Sequence, residues 1–156
     1  ATAHIAGPQG ERDVPVEGFF TGPGRNVLES GEFVVNIHVA PHQPGTGEAW
    51  QRFIPRNEMD IAVVNCGTYL ALENDVITDV RVALGAVAAT PIMVPDISEI
   101  LIGKTLNDET IDMVADAASK AATPIEDMRG SVKQRKHLAG VLTKRTLSIA
   151  AERAQS

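Results

Sequence analysis

A chain of 156 residues with 44% hydrophobic and 22% charged residues fits one globular domain and a fragment of another. Its formal net charge of −6 and isoelectric point near 5.1 argue against nucleic acid as the main partner and against adhesion to anionic membranes. No apolar run approaches the roughly 18–20 residues a membrane helix needs, and residues 1–10 lack the basic start and apolar core of a secretory signal.

The chain opens on a strand candidate at residues 1–5. Gly7-Pro8-Gln9-Gly10 is turn chemistry, and residues 11–16 then read as a returning strand. Such a hairpin is marginal by itself, so it is expected to lie at the edge of something larger. Residues 18–31 hold Gly18, Gly22, Gly24, Gly31 and Pro23 and read as a linker or ordered loop. Residues 33–40 alternate: Phe33, Val35, Ile37 and Val39 face one way, Asn36 and His38 the other. That period of two predicts a half-buried strand opening the main sheet.

Residues 50–54 form a second predicted strand. The long apolar run 61–72 forms a third, expected to be central. Asn74-Asp75 makes a tight turn into a fourth at residues 76–87, with Val76, Thr78, Val80, Val82 and Leu84 on one face. All aromatics fall before residue 70, and the remainder is aliphatic, as for a helical layer laid on a sheet. Asp96 with Glu99 resembles a capping box for a short helix ending at Gly103. Asn107 or Asp108 caps the next helix, which ends at Thr123-Pro124. Ser131 with Gln134 opens a long last helix with Leu138, Val141, Leu142 and Ile149 on one stripe. The fold class expected is α+β: an antiparallel sheet of three to four strands packed against three helices.

Motifs for self-contained chemistry are missing. There is no G-x-G-x-x-G, no Walker A string and no C-x-x-C. Gly22-Pro23-Gly24 reads as a turn. The histidines His4, His38, His42 and His137 are scattered, and Pro41 prevents a helical metal face at His38 and His42. The single cysteine, Cys66, rules out an internal disulfide and reads as a buried small hydrophobe; a cytoplasmic location is expected. Arg129, Lys133, Arg135, Lys136, Lys144 and Arg145 make the C-terminal end basic, either as a solvated helix face or as a surface docking to an acidic partner.

The most specific string is Arg52-Phe-Ile-Pro-Arg56-Asn-Glu-Met-Asp60-Ile61-Ala62-Val63-Val64. Pro55 interrupts any regular element, so a strand gives way to a charged turn and then to a buried strand. Arg52 and Arg56 either pair with Glu58 and Asp60 or present permanent charge to an anionic or electron-accepting ligand. This string resembles the C-terminal domain of the FAD-binding subunit of molybdenum hydroxylases, the family of xanthine dehydrogenase and aerobic carbon monoxide dehydrogenase. Further segments resemble it in order: Val14-Pro15-Val16-Glu17-Gly18-Phe19-Phe20-Thr21-Gly22, Leu28-Glu29-Ser30-Gly31-Glu32, Ala83-Leu84-Gly85-Ala86-Val87-Ala88-Ala89-Thr90-Pro91, Ser131-Val-Lys-Gln-Arg135-Lys-His137-Leu138 and Leu142-Thr-Lys-Arg145.

The resemblance implies a division: 1–13 as the remnant hairpin of a preceding FAD-binding domain, 14–31 as a linker or entry loop, and 32–156 as the flavoprotein C-terminal α+β domain. It implies that FAD is held mainly by N-terminal domains with glycine-rich loops, of which this chain shows none. Arg52, Val34, Arg56 and Asp60 become the cofactor-binding candidates, with no catalytic residue and no metal ligand. Many members carry lysine where this chain has Arg52. The partners implied are a molybdenum subunit with a molybdenum–pterin centre and an iron–sulfur subunit with [2Fe-2S] clusters, in a dimer of heterotrimers. The isolated chain is then an inactive part of an oxidoreductase, one wall of a flavin pocket. The alternative is a freestanding, cofactor-free interaction domain with vestigial flavin contacts.

Overall fold

The Gly7–Gly10 turn folds the chain start back on itself, as its residues predict. β1 (Thr2–Gly7) pairs antiparallel with β2 (Gly10–Pro15). The computed structural model describes residues 1–56 and 60–156. They fall into two units, residues 1–42 and 43–156.

In the first unit, residues 18–31 are more ordered than a linker. Phe20–Gly22 (β3) and Arg25–Asn26 (β4) form a small hairpin after a 3-10 turn at Val16–Gly18. Arg12 fastens the segment that follows. Its Nε donates to Glu32 Oε1 at 2.8 Å, and its Nη2 donates to Glu32 Oε2 at 2.7 Å and to the Val27 carbonyl at 2.8 Å. The fork geometry of guanidinium on carboxylate suits that task. Arg12 and the Glu29 backbone N–H hold the Glu32 carboxyl at about 2, well below its usual range.

Residues 33–38 (β5, Phe33–His38) form a strand, as their alternation predicts. The expected place is corrected, however. β5 pairs with β1 to complete a β2-β1-β5 sheet in the first unit, with a bulge between His4 and Ile5. All six of its residues are exposed rather than half-buried. Period two identifies a strand; it does not say which edge the strand will join.

The second unit holds a sheet of order β6-β7-β8-β9: Thr46–Phe53, Val64–Glu73, Val76–Gly85 and Ile92–Met93. β7 is central, as its apolar run predicts. Val64, Cys66, Thr68 and Leu70 point into the core and Asn65, Gly67 and Tyr69 point away. Asn74 and Asp75, at φ 50° and 64°, make the hairpin turn with residues that tolerate the left-handed region. Beyond it Leu72 pairs with Ile77 but Ala71 with Asp79, leaving Thr78 surplus. This bulge buries Ile77 and exposes Thr78, against the simple alternation.

Three helices cover one face, α1 (Ile97–Leu101), α2 (Asp108–Ala121) and α3 (Val132–Ala154). Asp96 does not cap α1 as expected. It sits at φ 60° with no side-chain bond to the helix. Asn107 does cap α2, in a reciprocal box with Thr110, and Ser131 accepts from the Gln134 N–H at α3. The buried stripe of α3 is Arg135, Ala139, Gly140, Leu142, Thr143, Thr146, Leu147 and Ala150, so the expected stripe is rotated and shares only Leu142. α3 lies close on β6. A β-carbon at Gly47 would collide with the Ala150 carbonyl. Each large aliphatic side chain fully buried here, Leu70 or Leu147, contributes roughly 1.5–3 kcal/mol. Cys66 is buried as expected, but among hydroxyls: its Sγ lies 3.5 Å from Thr143 Oγ1 and 3.4 Å from Thr146 Oγ1.

Candidate functional site

Among the described residues of the second unit, no helix covers the other face of the four-stranded sheet. Alternation along β6 sends Ala49 and Phe53 toward the helices and Glu48, Trp50 and Arg52 away from them. Cross-strand register then sets rows on the open face. Trp50 stands opposite Gly67, Gly67 opposite Ala83 and Ala83 opposite Met93. Arg52 stands opposite Asn65 and Asn65 opposite Gly85. Glu48, Tyr69 and Arg81 form the next row, with the Arg81 guanidinium 5.8 Å from the Tyr69 ring centre.

The middle of this face is low at Gly67 and Ala83, which carry almost no side chain, while the Asn65 side chain covers Gly85. Trp50 remains 61% exposed beside it. Arg52 is exposed, and among the described residues it has no ion-pair partner.

After Phe53 the chain leaves the sheet and returns at Val63, whose N–H donates to the Phe53 carbonyl at 2.9 Å. Asp60 organises the described ends of this excursion. Its Oδ1 accepts from the Ile61 N–H at 2.9 Å and its Oδ2 from the Arg56 N–H at 3.2 Å. The Arg56 Nε is 3.7 Å from Asp60 Oδ2. Asp60's side chain is 10% exposed and Arg56's is 72% exposed, so the pair is worth about 0–1 kcal/mol. Glu58, the other expected partner of these arginines, lies outside the described residues. Arg56 and Asp60 are thus paired in the β6–β7 connection, while Arg52 stands on β6 beside Asn65. Val34 belongs to β5 of the first unit, 36% exposed.

Arg135 is the residue that sequence reasoning placed wrongly. Counted there with the basic C-terminal surface, it is 4% exposed. Its Nη1 donates to the carbonyls of Val63 at 3.0 Å and Ala86 at 3.3 Å, and its Nη2 to Asp127 Oδ1 at 2.6 Å. The Arg129 backbone N–H and the Arg135 guanidinium hold the Asp127 carboxyl below its usual range. A signal was available, since Arg135, Ala139, Leu142 and Thr146 recur at helical spacing on one face. On the outer side of the helices, Lys144 pairs with Asp112 beside a cleft of about 360 Å³ between α2 and α3, lined by Asp116, Ser119, His137 and Arg145.

The passage from β9 to α1 is not a glycine-rich phosphate cradle, since it runs through Val94-Pro95-Asp96 without glycine. These residues belong to an α+β module, a four-stranded antiparallel sheet with three helices on one face.

The chain belongs to the CO dehydrogenase flavoprotein C-terminal domain family, whose model matches residues 50–150. The carbon monoxide dehydrogenase medium chain of Hydrogenophaga pseudoflava is 34% identical over 146 residues, which cover 94% of this chain and 50% of that one. The xanthine dehydrogenase FAD-binding subunit of Escherichia coli O157:H7 is 32% identical over 151 residues, covering 96% and 52%. Carbon monoxide dehydrogenase from Hydrogenophaga pseudoflava superposes with a TM-score of 0.92 at 33% identity, covering 97% of this chain and 53% of the other. Quinoline 2-oxidoreductase from Pseudomonas putida 86 gives 0.88 at 28% identity, covering 99% and 53%. The chain therefore spans about half the length of the relatives it matches. The antiparallel sheet with three helices agrees with the fold class expected from sequence.

Proposed function

We propose that this chain is the C-terminal part of the FAD subunit of a molybdenum hydroxylase, where the open sheet face and the β6–β7 connection form one wall of the flavin pocket. The observation that carries this reading is the position of Arg52. It is exposed on the helix-free face, one residue before the chain leaves the sheet, in a row with Asn65 and Gly85. The segment also lies within the span matched by the family model.

FAD, when bound, would supply the redox chemistry that side chains lack. The chain's own share is binding, orientation and electrostatics. Arg52 places a permanent positive charge where reduction builds negative charge. Gly67 leaves room for close approach, and Trp50 excludes water beside it. Arg56 and Asp60 shape the connection. Residues 1–13 are read as the closing hairpin of a preceding FAD-binding domain and 14–31 as the lead into 32–156.

In the whole enzyme, electrons from a molybdenum–pterin centre would reach the flavin through [2Fe-2S] clusters of partner subunits. The assembly proposed is a dimer of heterotrimers in the cytoplasm, and no helix described here is long and apolar enough to cross a membrane. Alone, this chain is expected to show no catalysis and no sub-micromolar affinity for FAD.

Trp50 is the only tryptophan in the chain, which makes the reading testable by fluorescence. FAD added to a complete flavin subunit carrying this segment should quench Trp50 emission, and Trp50→Phe should remove that component. Emission from Trp50 that does not respond to FAD would count against the proposed wall.

A further inference from the structure

Arg135 is buried at the start of α3, yet its donors pass through the core to the sheet. They reach the backbone beside the other two members of the Arg52 row, Asn65 and Gly85. The Val63 carbonyl precedes Val64 and Asn65 on β7, and the Ala86 carbonyl follows Gly85 on β8. Val63 is fully buried, and its N–H in turn closes the β6–β7 connection on Phe53, the neighbour of Arg52. A continuous path therefore runs from Asp127 through Arg135 and Val63 to the residue beside Arg52.

Stability alone is a weak reason to keep this arrangement. Burying a guanidinium is costly, and an apolar side chain of similar volume often does as well or better. Nor is the group satisfied for its own sake: Nε is buried and has no hydrogen-bond partner among the described residues. Its orientation follows the two carbonyls and Asp127. Asp127 is itself held by the Arg129 N–H at 2.8 Å.

We infer that Arg135, anchored by Asp127, is a positioning residue that fixes the return of the β6–β7 connection at Val63 and thereby sets where Arg52 stands on the open sheet face. The path is a property of this chain; its consequence for a flavin rests on the function proposed above.

Native-state amide exchange tests it in this chain. In Arg135→Met the Val63 amide should exchange about tenfold faster or more, while Leu70 and Val82 in the same sheet change much less. Arg135→Lys keeps the charge but loses the fork and should fall between. Asp127→Asn removes the anchor's charge, leaves the Arg135 donors in place, and should loosen Val63 to a smaller degree; with Arg135→Lys it carries the test if Arg135→Met does not fold. Exchange at Val63 that rises no more than at Leu70 overturns the inference.

A second measurement separates it from the flavin reading. In an FAD-loaded complete subunit carrying this segment, Arg135→Lys should shift the flavin potential in the same direction as Arg52→Glu, by a smaller amount. A potential that moves with Arg52→Glu but not with Arg135→Lys overturns the link to Arg52. If Val63 loosens selectively and neither variant moves the potential, the positioning role stands and the flavin wall falls.

Discussion

The Asn65 side chain lies directly over Gly85 on the open face of the sheet. A β-carbon at Gly85 would stand 2.5 Å from Asn65 Oδ1 and 2.6 Å from Nδ2. Asn65 is also the cross-strand neighbour of Arg52, so this contact is the middle of the row on which the candidate site is built. Gly85→Ala is expected to push the amide aside at a cost of about 1–3 kcal/mol, read as a lower denaturant midpoint with an unchanged slope. Gly67→Ala is the control, because its β-carbon would meet only Trp50 Cδ1 at 3.6 Å, an ordinary contact.

The core of the second unit contains a polar cluster that can be dissected in the same way. Thr68 Oγ1 and Thr146 Oγ1 are 2.7 Å apart and buried, with Thr146 also donating to the Leu142 carbonyl at 3.0 Å. Thr146→Val strands the Thr68 hydroxyl and should cost about 1–3 kcal/mol. Adding Thr68→Val should recover much of that loss, since both partners are then apolar and close to the original shape. A double-mutant cycle by chemical denaturation measures the coupling; a fully additive result would mean that the hydroxyls do not depend on one another.

Two titrations should mark the first unit. Glu32 has a folded pKa of about 2 against an ordinary 4.5, because of Arg12 and the Glu29 N–H. Its contribution to stability is present above pH 4.5 and is lost as pH falls from there toward 2. Glu32→Gln should flatten that acid-side loss. His4 moves the other way: its bond to Asp13, and the charges of Asp13 and Glu11, raise its pKa above 6.5. Its contribution is full below pH 6.5 and is lost as pH rises through the folded value. Exchange of β1 amides, followed against pH in the wild type, Glu32→Gln and His4→Gln, separates the two.

Residue order made some of this fold legible and hid the rest for physical reasons. The Gly-Pro-Gln-Gly hairpin, the Asn74-Asp75 turn and the caps at Asn107 and Ser131 are local, and their chemistry fixes them within a few residues. β5 was recognisable as a strand, but its partner β1 is far away in sequence, and period two carries no information about that choice. The short strand β9 has too few residues for any period to show. Asp96 looked like a cap by spacing alone, while its positive φ turns it out of that role. At the candidate site, the order of residues made Arg52, Arg56 and Asp60 visible as a charged string. It hid Arg135, because an arginine among Lys133 and Lys136 reads as surface unless the buried stripe of the helix is traced through it. The family model and the relatives agree with the resemblance found in the motifs.

The charge of Arg52 offers the most direct measurement, the midpoint potential of FAD in a complete flavin subunit carrying this segment. Arg52→Glu should make the flavin harder to reduce, lowering its potential by on the order of 30–60 mV, with secondary structure and denaturant midpoint unchanged. An unaltered potential in a folded, FAD-loaded Arg52→Glu subunit would contradict a flavin lying against this face.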